Sequence, residues 1–160
     1  MEHVFETIFA IDPGNTESAF ALINLPDFQL LEFGKVENEV LLKSVPFYVG
    51  LADHFAIEMF ASYGMPVGKD VFETCVWVGR FVQKAEEEHH FVYRKDEKVR
   101  LCHDSRAKDG NIRQALIDRY DKFDIKNGKG TKKNPDTFYG VSKDVWQAIA
   151  VAVTYYEMKE

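Results

Sequence analysis

Apolar positions along the chain fall first into short runs broken by turn-forming residues, and only later into helical spacing. Stretches 5–11, 18–24 and 29–36 are short, apolar or aromatic-rich, and bounded by Pro, Gly, Asn or Asp, which predicts three successive strands. Pro26-Asp27 marks the turn between the second and third. Residues 37–50 predict a helix with Val40, Leu41, Val45 and Val49 on its inner side, shortened or kinked at Pro46. Residues 54–59 return as a strand. Apolar positions 71, 72, 75, 76, 78, 81 and 82 form a stripe wider than one helical face, predicting a helix over 71–85 with two buried faces, ended by Glu86-Glu87-Glu88. A short strand follows at 90–93, then a helix at 108–120 with Ile112, Ala115, Leu116 and Ile117 apolar. The Lys-, Gly- and Asn-rich stretch 123–139 predicts a mobile loop, and 142–158 a strongly apolar helix with Ser142 as its N-cap. The order predicts an α/β fold. Its mixed sheet has three antiparallel strands, then alternating helices and parallel strands, with helices on both faces.

With 160 residues and 46% hydrophobic content, the chain is expected to form one domain, 1–160. No apolar stretch approaches the roughly 20 residues needed to cross a bilayer, and Met1-Glu2-His3 lacks the basic start of a secretory signal, so a cytoplasmic location without membrane contact is expected. Cys75 and Cys102 are too few for a disulfide framework or a zinc site, and Cys75 is expected to be a small buried thiol. A net charge of -6 argues against a polyanionic partner until its distribution is considered. Residues 94–133 hold 13 Lys or Arg against 7 Asp or Glu, a local +6 that leaves -12 for the rest. That asymmetry points to a face that attracts polyanions, although interspersed acids also suit an ordinary solvated surface.

The candidate chemistry lies in carboxylates at the exits of apolar runs. Asp12 closes Ile8-Phe9-Ala10-Ile11 and is followed by Pro13-Gly14-Asn15-Thr16, so it sits at the mouth of a buried sheet. A charge there calls for a cation or hydrogen-bond partner, although an Asp that only caps its own turn is an alternative. Glu58 repeats the arrangement at the end of Phe55-Ala56-Ile57. Asp144 falls in the first turn of the last helix, where an acid also serves as a plain cap, and Gln147 follows on the same face. Three acids from two strands and a helix make an oxygen-rich cluster suited to Mg2+ or Mn2+. Two such ions about 4 Å apart can activate water and stabilise the leaving oxygen of a phosphodiester.

These residues carry a resemblance. Ile8-Phe9-Ala10-Ile11-Asp12-Pro13-Gly14, Ala56-Ile57-Glu58 and the stretch from Asp144-Val145-Trp146-Gln147 to Ala150-Val151-Ala152-Val153-Thr154 resemble the RNase H-like nuclease superfamily. Within it they look like Holliday junction resolvases of the RuvC type, particularly the short bacteriophage forms. The resemblance implies an RNase H-like fold and a metal-dependent endodeoxyribonuclease acting on branched DNA, with two Mg2+ or Mn2+ ions held by Asp12, Glu58, Asp144 and Gln147 and no small-molecule cofactor. Gln147 stands where many members have a fourth carboxylate; Asp136, in the preceding loop, is a substitute without motif support. Ala107-Lys108-Asp109-Gly110-Asn111-Ile112-Arg113-Gln114 resembles the segment that presents a basic side chain beside the scissile strand, with the acid-then-lysine order reversed, and Lys108 is the residue chosen for a catalytic role.

The resemblance also implies a symmetric dimer, for which Val71, Cys75, Val76, Val78 and Val82 offer a surface, unless that helix packs only within its own domain. Arg106, Lys108, Arg113, Lys126, Lys129, Lys132 and Lys133 are the candidate DNA contacts. Phe60, Tyr63 and Met65 lie just past Glu58; they are expected to tuck into their own core, with Tyr63 as the candidate if one instead meets DNA bases. Two further readings stay open. Asp12-Pro13-Gly14-Asn15-Thr16 also looks like the first phosphate loop of actin-like and type III pantothenate kinases, which need two such domains around the nucleotide, and a junction-binding protein that does not cut is compatible with Gln147.

Overall fold

The computed structural model describes residues 4–159; the Met1-Glu2-His3 start lies outside them. The chain runs β1 (Glu6–Asp12), β2 (Glu17–Leu25), β3 (Gln29–Glu37), α1 (Asn38–Leu51), β4 (His54–Met59), α2 (Lys69–Ala85), β5 (His90–Tyr93), α3 (Arg94–Cys102), α4 (Asp109–Tyr120) and α5 (Lys143–Met158). The strands form one sheet in the order β3-β2-β1-β4-β5. β1 pairs antiparallel with β2 and β2 with β3, while β4 joins β1, and β5 joins β4, in parallel. This is the mixed α/β sheet expected from the pattern, with helices on both faces.

Alternation along the central strands feeds two separate cores. Phe9, Ile11, Phe55 and Ile57 point to one face, where α1 and α2 supply Leu41, Val45, Val78 and Phe81. Phe9 stacks on Tyr48 and Phe55 with ring centroids 5.0 and 5.5 Å apart. Ile8, Ala10 and Ala56 point to the other face, which α5 covers with an unbroken buried run from Ala148 to Val153. Each fully buried Val or Ile there contributes roughly 1.5–3 kcal/mol, while Ala148, Ala150 and Ala152 let the helix lie close to the sheet.

Several expectations fail for identifiable reasons. Val40 is 52% exposed, because it sits one position off the Leu41-Val45-Val49 row that meets the sheet. α2 buries one face, through Thr74, Val78, Phe81 and Ala85, and leaves Phe72 and Val76 in the open; Cys75 is only half-buried. Ser142 does hold the N-cap position of α5, as expected, but makes no side-chain cap hydrogen bond. The helix α3 had no apolar stripe to reveal it: Arg94-Lys95-Asp96-Glu97-Lys98 reads as a solvated charge run, yet Glu97 and Leu101 are buried. Its first turn is closed by the Tyr93 N–H donating to the Asp96 carboxylate at 3.1 Å.

The segment 121–141, which contains the stretch 123–139 expected to be mobile, is tied down by its own side chains. The carboxylate of Asp136 accepts backbone N–H bonds from Lys122, Phe123, Asp124 and Thr137 at 2.7–3.3 Å, and that of Asp124 accepts from Asn127, Lys129 and Gly130. Phe138 plugs the segment into the core against Trp146, with ring centroids 4.6 Å apart. Gly128, at φ 70°, leaves no room for a Cβ, which would meet Ile117 and Phe138 at 2.9 Å.

Candidate active site

The parallel register of β1 and β4 sets Ile11 beside Ile57, so the next residues, Asp12 and Glu58, leave the two central strands at the same level. Strand alternation turns both toward the face that α5 covers. The turn after Asp12 is held by other groups. Ser18 accepts from the Gly14 N–H at 3.1 Å and donates to Asn38 at 2.5 Å, and the Asn38 amide donates to the Gly14 carbonyl at 2.8 Å. Gly14 is required by the closeness of this turn, since a Cβ would lie 2.3 Å from the Glu17 carbonyl oxygen. Asp12 is therefore not needed as a turn cap, and its carboxylate is in hydrogen-bonding contact with Glu58.

Asp144 enters from the first turn of α5, where Lys35 of β3 pairs with it at 2.6 Å. One turn on, the Gln147 amide donates to Glu97 of α3, and Glu97 in turn contacts Glu58. Arg94, at the start of α3, reaches Glu58 at 3.8 Å and Glu97 at 4.0 Å and pairs with Asp109 at the start of α4. The result is a chain of touching carboxylates, Asp12 to Glu58 to Glu97, flanked by Asp144 and facing the Arg94 guanidinium.

Burial first, then the neighbouring Glu58 charge, pushes Asp12 well above the usual carboxylate range; Arg94 opposes this and Asp144 adds to it. Glu97 is pushed up in the same way, by burial first and then by Glu58, again against Arg94. Two oxygens in the cluster, Glu58 Oε1 and Glu97 Oε2, are buried without a hydrogen-bond partner. Among the described residues no group of three or more His, Cys, Asp or Glu side chains is arranged as a ready metal cage. The acids are instead turned toward the cations the chain supplies, Arg94 and Lys35.

Clefts open on the two sides of Arg94. One, of about 130 Å3, is bordered by Asp12, Asp109, Arg113, Lys143, Asp144 and Gln147. The other, of about 390 Å3, is bordered by Asp12, Glu58, Phe60, Tyr63 and Tyr93. The structure thus brings together Asp12, Glu58, Asp144 and Gln147, with Arg113 at the rim. Lys108 is exposed just before α4 and does not border either cleft. Asp136 spends both oxygens on backbone N–H groups and is no substitute for a site acid. Arg106, Lys126, Lys132 and Lys133 are exposed, with Lys129 half-buried. Phe60, Tyr63 and Met65 do not tuck inward; they are 37%, 67% and 71% exposed, and Tyr63 stands at φ 49° with Lys95 Nζ 5.7 Å from its ring.

Sequence reasoning missed Arg94, Glu97 and Lys35. A signal existed for the first two: the apolar strand His90-Phe91-Val92-Tyr93 ends in charged residues just as the Asp12 and Glu58 strands do. Lys35 had none, because a lysine on an edge strand is ordinary.

No family model matches the chain, and no curated protein matches it significantly by sequence. Solved structures do match. RuvC of Thermus thermophilus in complex with a Holliday junction substrate aligns over 96% of both chains with a TM-score of 0.68 and 14% identity. A second structure of Thermus thermophilus RuvC aligns over 96% of both chains at 0.63 and 16%. The chain has the RNase H-like fold of RuvC.

Proposed function

We propose that this protein is a metal-dependent, structure-selective endodeoxyribonuclease, a single nuclease domain that resolves four-way or other branched DNA in the cytoplasm as a homodimer. The observation that carries the reading is the contact of Asp12 with Glu58 at the exits of β1 and β4, with Asp144 close enough to raise the Asp12 pKa, at the floor of open clefts. A shared fold with a protein solved on a Holliday junction adds to it.

The donor set fits a hard divalent cation: oxygen ligands only, net negative, one of them an orphaned Glu58 oxygen. Asp12, Glu58 and Asp144 would hold Mg2+ or Mn2+, and two bound ions would supply an activated water and stabilise the leaving oxygen. The chain's own part is to position and to neutralise. Arg113 and Lys143 at the rim offer positive charge to a phosphate entering the narrower cleft, and Lys108 is exposed at the N-cap of α4, next to Asp109. Arg106, Lys126, Lys132 and Lys133 are exposed and Lys129 half-buried, available to phosphates of bound DNA, and exposed Tyr63 offers a stacking face beside Glu58. For the dimer, Val76 and Phe72 on α2 are exposed and lie on a neighbouring helix to exposed Phe47 and Leu51; Val78 is buried in its own core and contributes nothing.

A labelled four-way junction, a flap and an RNA hybrid, each incubated with protein with and without Mg2+ or Mn2+, test the reading. Paired nicks in opposed strands of the junction, dependent on the metal, are expected. A shifted but uncut junction under all metals overturns catalysis in favour of a binding protein, and ATP turnover without DNA binding favours phosphotransfer. Sedimentation showing a monomer both free and junction-bound overturns the dimer.

A further inference from the structure

We propose that Glu97 of α3 is a metal ligand of this site, a fourth carboxylate supplied from outside the two strands and the last helix, with Gln147 holding it in place. The inference rests on the nuclease reading above and extends it to a residue that reading does not use.

Glu97 is fully buried, yet its Oε2 has no hydrogen-bond partner. Its other oxygen accepts from the Gln147 amide, which fixes the side chain's direction, and the carboxyl touches Glu58, whose own Oε1 is also orphaned. A buried carboxylate kept for structure is expected to be saturated with donors, as Asp136 is. Glu97 has instead one amide and a 4.0 Å approach from Arg94, and that guanidinium is divided among Glu58, Glu97 and Asp109. Lys35 serves Asp144 and does not relieve the deficit. Two unpartnered oxygens on adjacent, touching carboxylates lack a group that takes several oxygen ligands at once, and a divalent cation is such a group. The amide at 147 then makes chemical sense as a donor that orients an acid rather than as a ligand.

The test is Mn2+ binding measured by calorimetry and by the electron paramagnetic resonance signal of free ion, on full-length protein without DNA. Glu97→Gln is expected to weaken Mn2+ affinity by about tenfold or more, or to remove one bound ion, while the metal-free melting temperature stays the same or rises because a buried charge is gone. Should that variant not fold, Glu97→Asp keeps the charge and withdraws it by one methylene, and the same loss of affinity is expected. Mn2+ affinity and stoichiometry equal to wild type in a folded variant overturn the assignment and leave the nuclease reading standing. A wild type that binds no Mn2+ overturns both.

Discussion

Asp136 and Glu97 are both sealed from solvent, and the fold treats them in opposite ways. Asp136 is surrounded by donors: four backbone N–H groups and the Thr137 hydroxyl aim at its two oxygens. Burial alone would raise its pKa; the N–H groups of Asp124, Thr137, Phe123 and Lys122 outweigh burial and bring it to about 2. Glu97 faces Glu58 and, beyond it, Asp12, and is pushed the other way by burial and by its acidic neighbour. A carboxylate that serves as a structural knot is held by the protein's own donors. A carboxylate left short of donors among its own kind marks the place where a cation belongs.

The largest expected effect lies on the starved side of that comparison. Asp12→Asn, Glu58→Gln and Asp144→Asn are each expected to reduce metal-dependent junction cleavage by about a thousandfold or more, with junction binding retained in a gel-shift assay. The same change at Asp12 is expected to stabilise the metal-free protein by about 1 kcal/mol, since repulsion with Glu58 and Asp144 is relieved. Cleavage at wild-type rate in any one variant removes that residue from the site. A loss of stability at Asp12 instead would mean the cluster is already satisfied, and the contrast with Asp136 would collapse.

On the saturated side the effect falls on folding. Asp136→Asn replaces an acceptor by a donor opposite N–H groups and is expected to cost about 2–3 kcal/mol, read as a lower urea midpoint, with the effect on metal affinity absent. The pH dependence has the matching sign. The folded pKa of Asp136 lies below its unfolded value, so its contribution is present above about pH 4 and is lost as pH falls toward 2. Asp12 and Glu97 lie above theirs, so the folded protein binds their protons more tightly, and their contribution falls as pH rises above the ordinary carboxylate range. Acid titration of wild type against Asp136→Asn, followed by circular dichroism, is expected to show the lower-pH loss flattened in the variant.

How legible this was from sequence depends on what kind of signal each residue leaves. Asp12 and Glu58 interrupt or end apolar runs, and their pairing follows from the strand order, so pattern reading finds them. Asp144 stands out because the helix behind it is apolar almost throughout. Glu97 is hidden for the converse reason. Periodicity equates burial with apolarity, and a buried acid inside Arg-Lys-Asp-Glu-Lys looks like solvent-facing charge; the helix α3 vanishes with it. The segment 121–141 misleads in a different way. Its order comes from side chain to main chain bonds of Asp124 and Asp136 and from the core anchors Phe138 and Val141, none of which produces a repeating pattern. Only an Asp three residues before an Asn, and the Asp136-Thr137 pair, hint at such turns.

The smallest expected effect separates the frame of that segment from its charge. Lys126, Lys132 and Lys133 are exposed and Lys129 half-buried, and no salt bridge holds any of them among the described residues. Replacing the four by alanine is expected to leave the unfolding free energy from urea titration within about 0.5 kcal/mol of wild type. The slope of log affinity for a four-way junction against log salt is expected to flatten by roughly 0.9 for each lysine that neutralises a phosphate. Lys69→Ala with Lys84→Ala, on α2 across the sheet, changes net charge without touching this segment and sets the background. If that pair flattens the slope as much per charge, the segment is a knot tied by Asp136 and nothing more. If only the four-lysine variant does, the saturated aspartates have a purpose beyond stability: they fix the backbone that carries the lysines DNA meets.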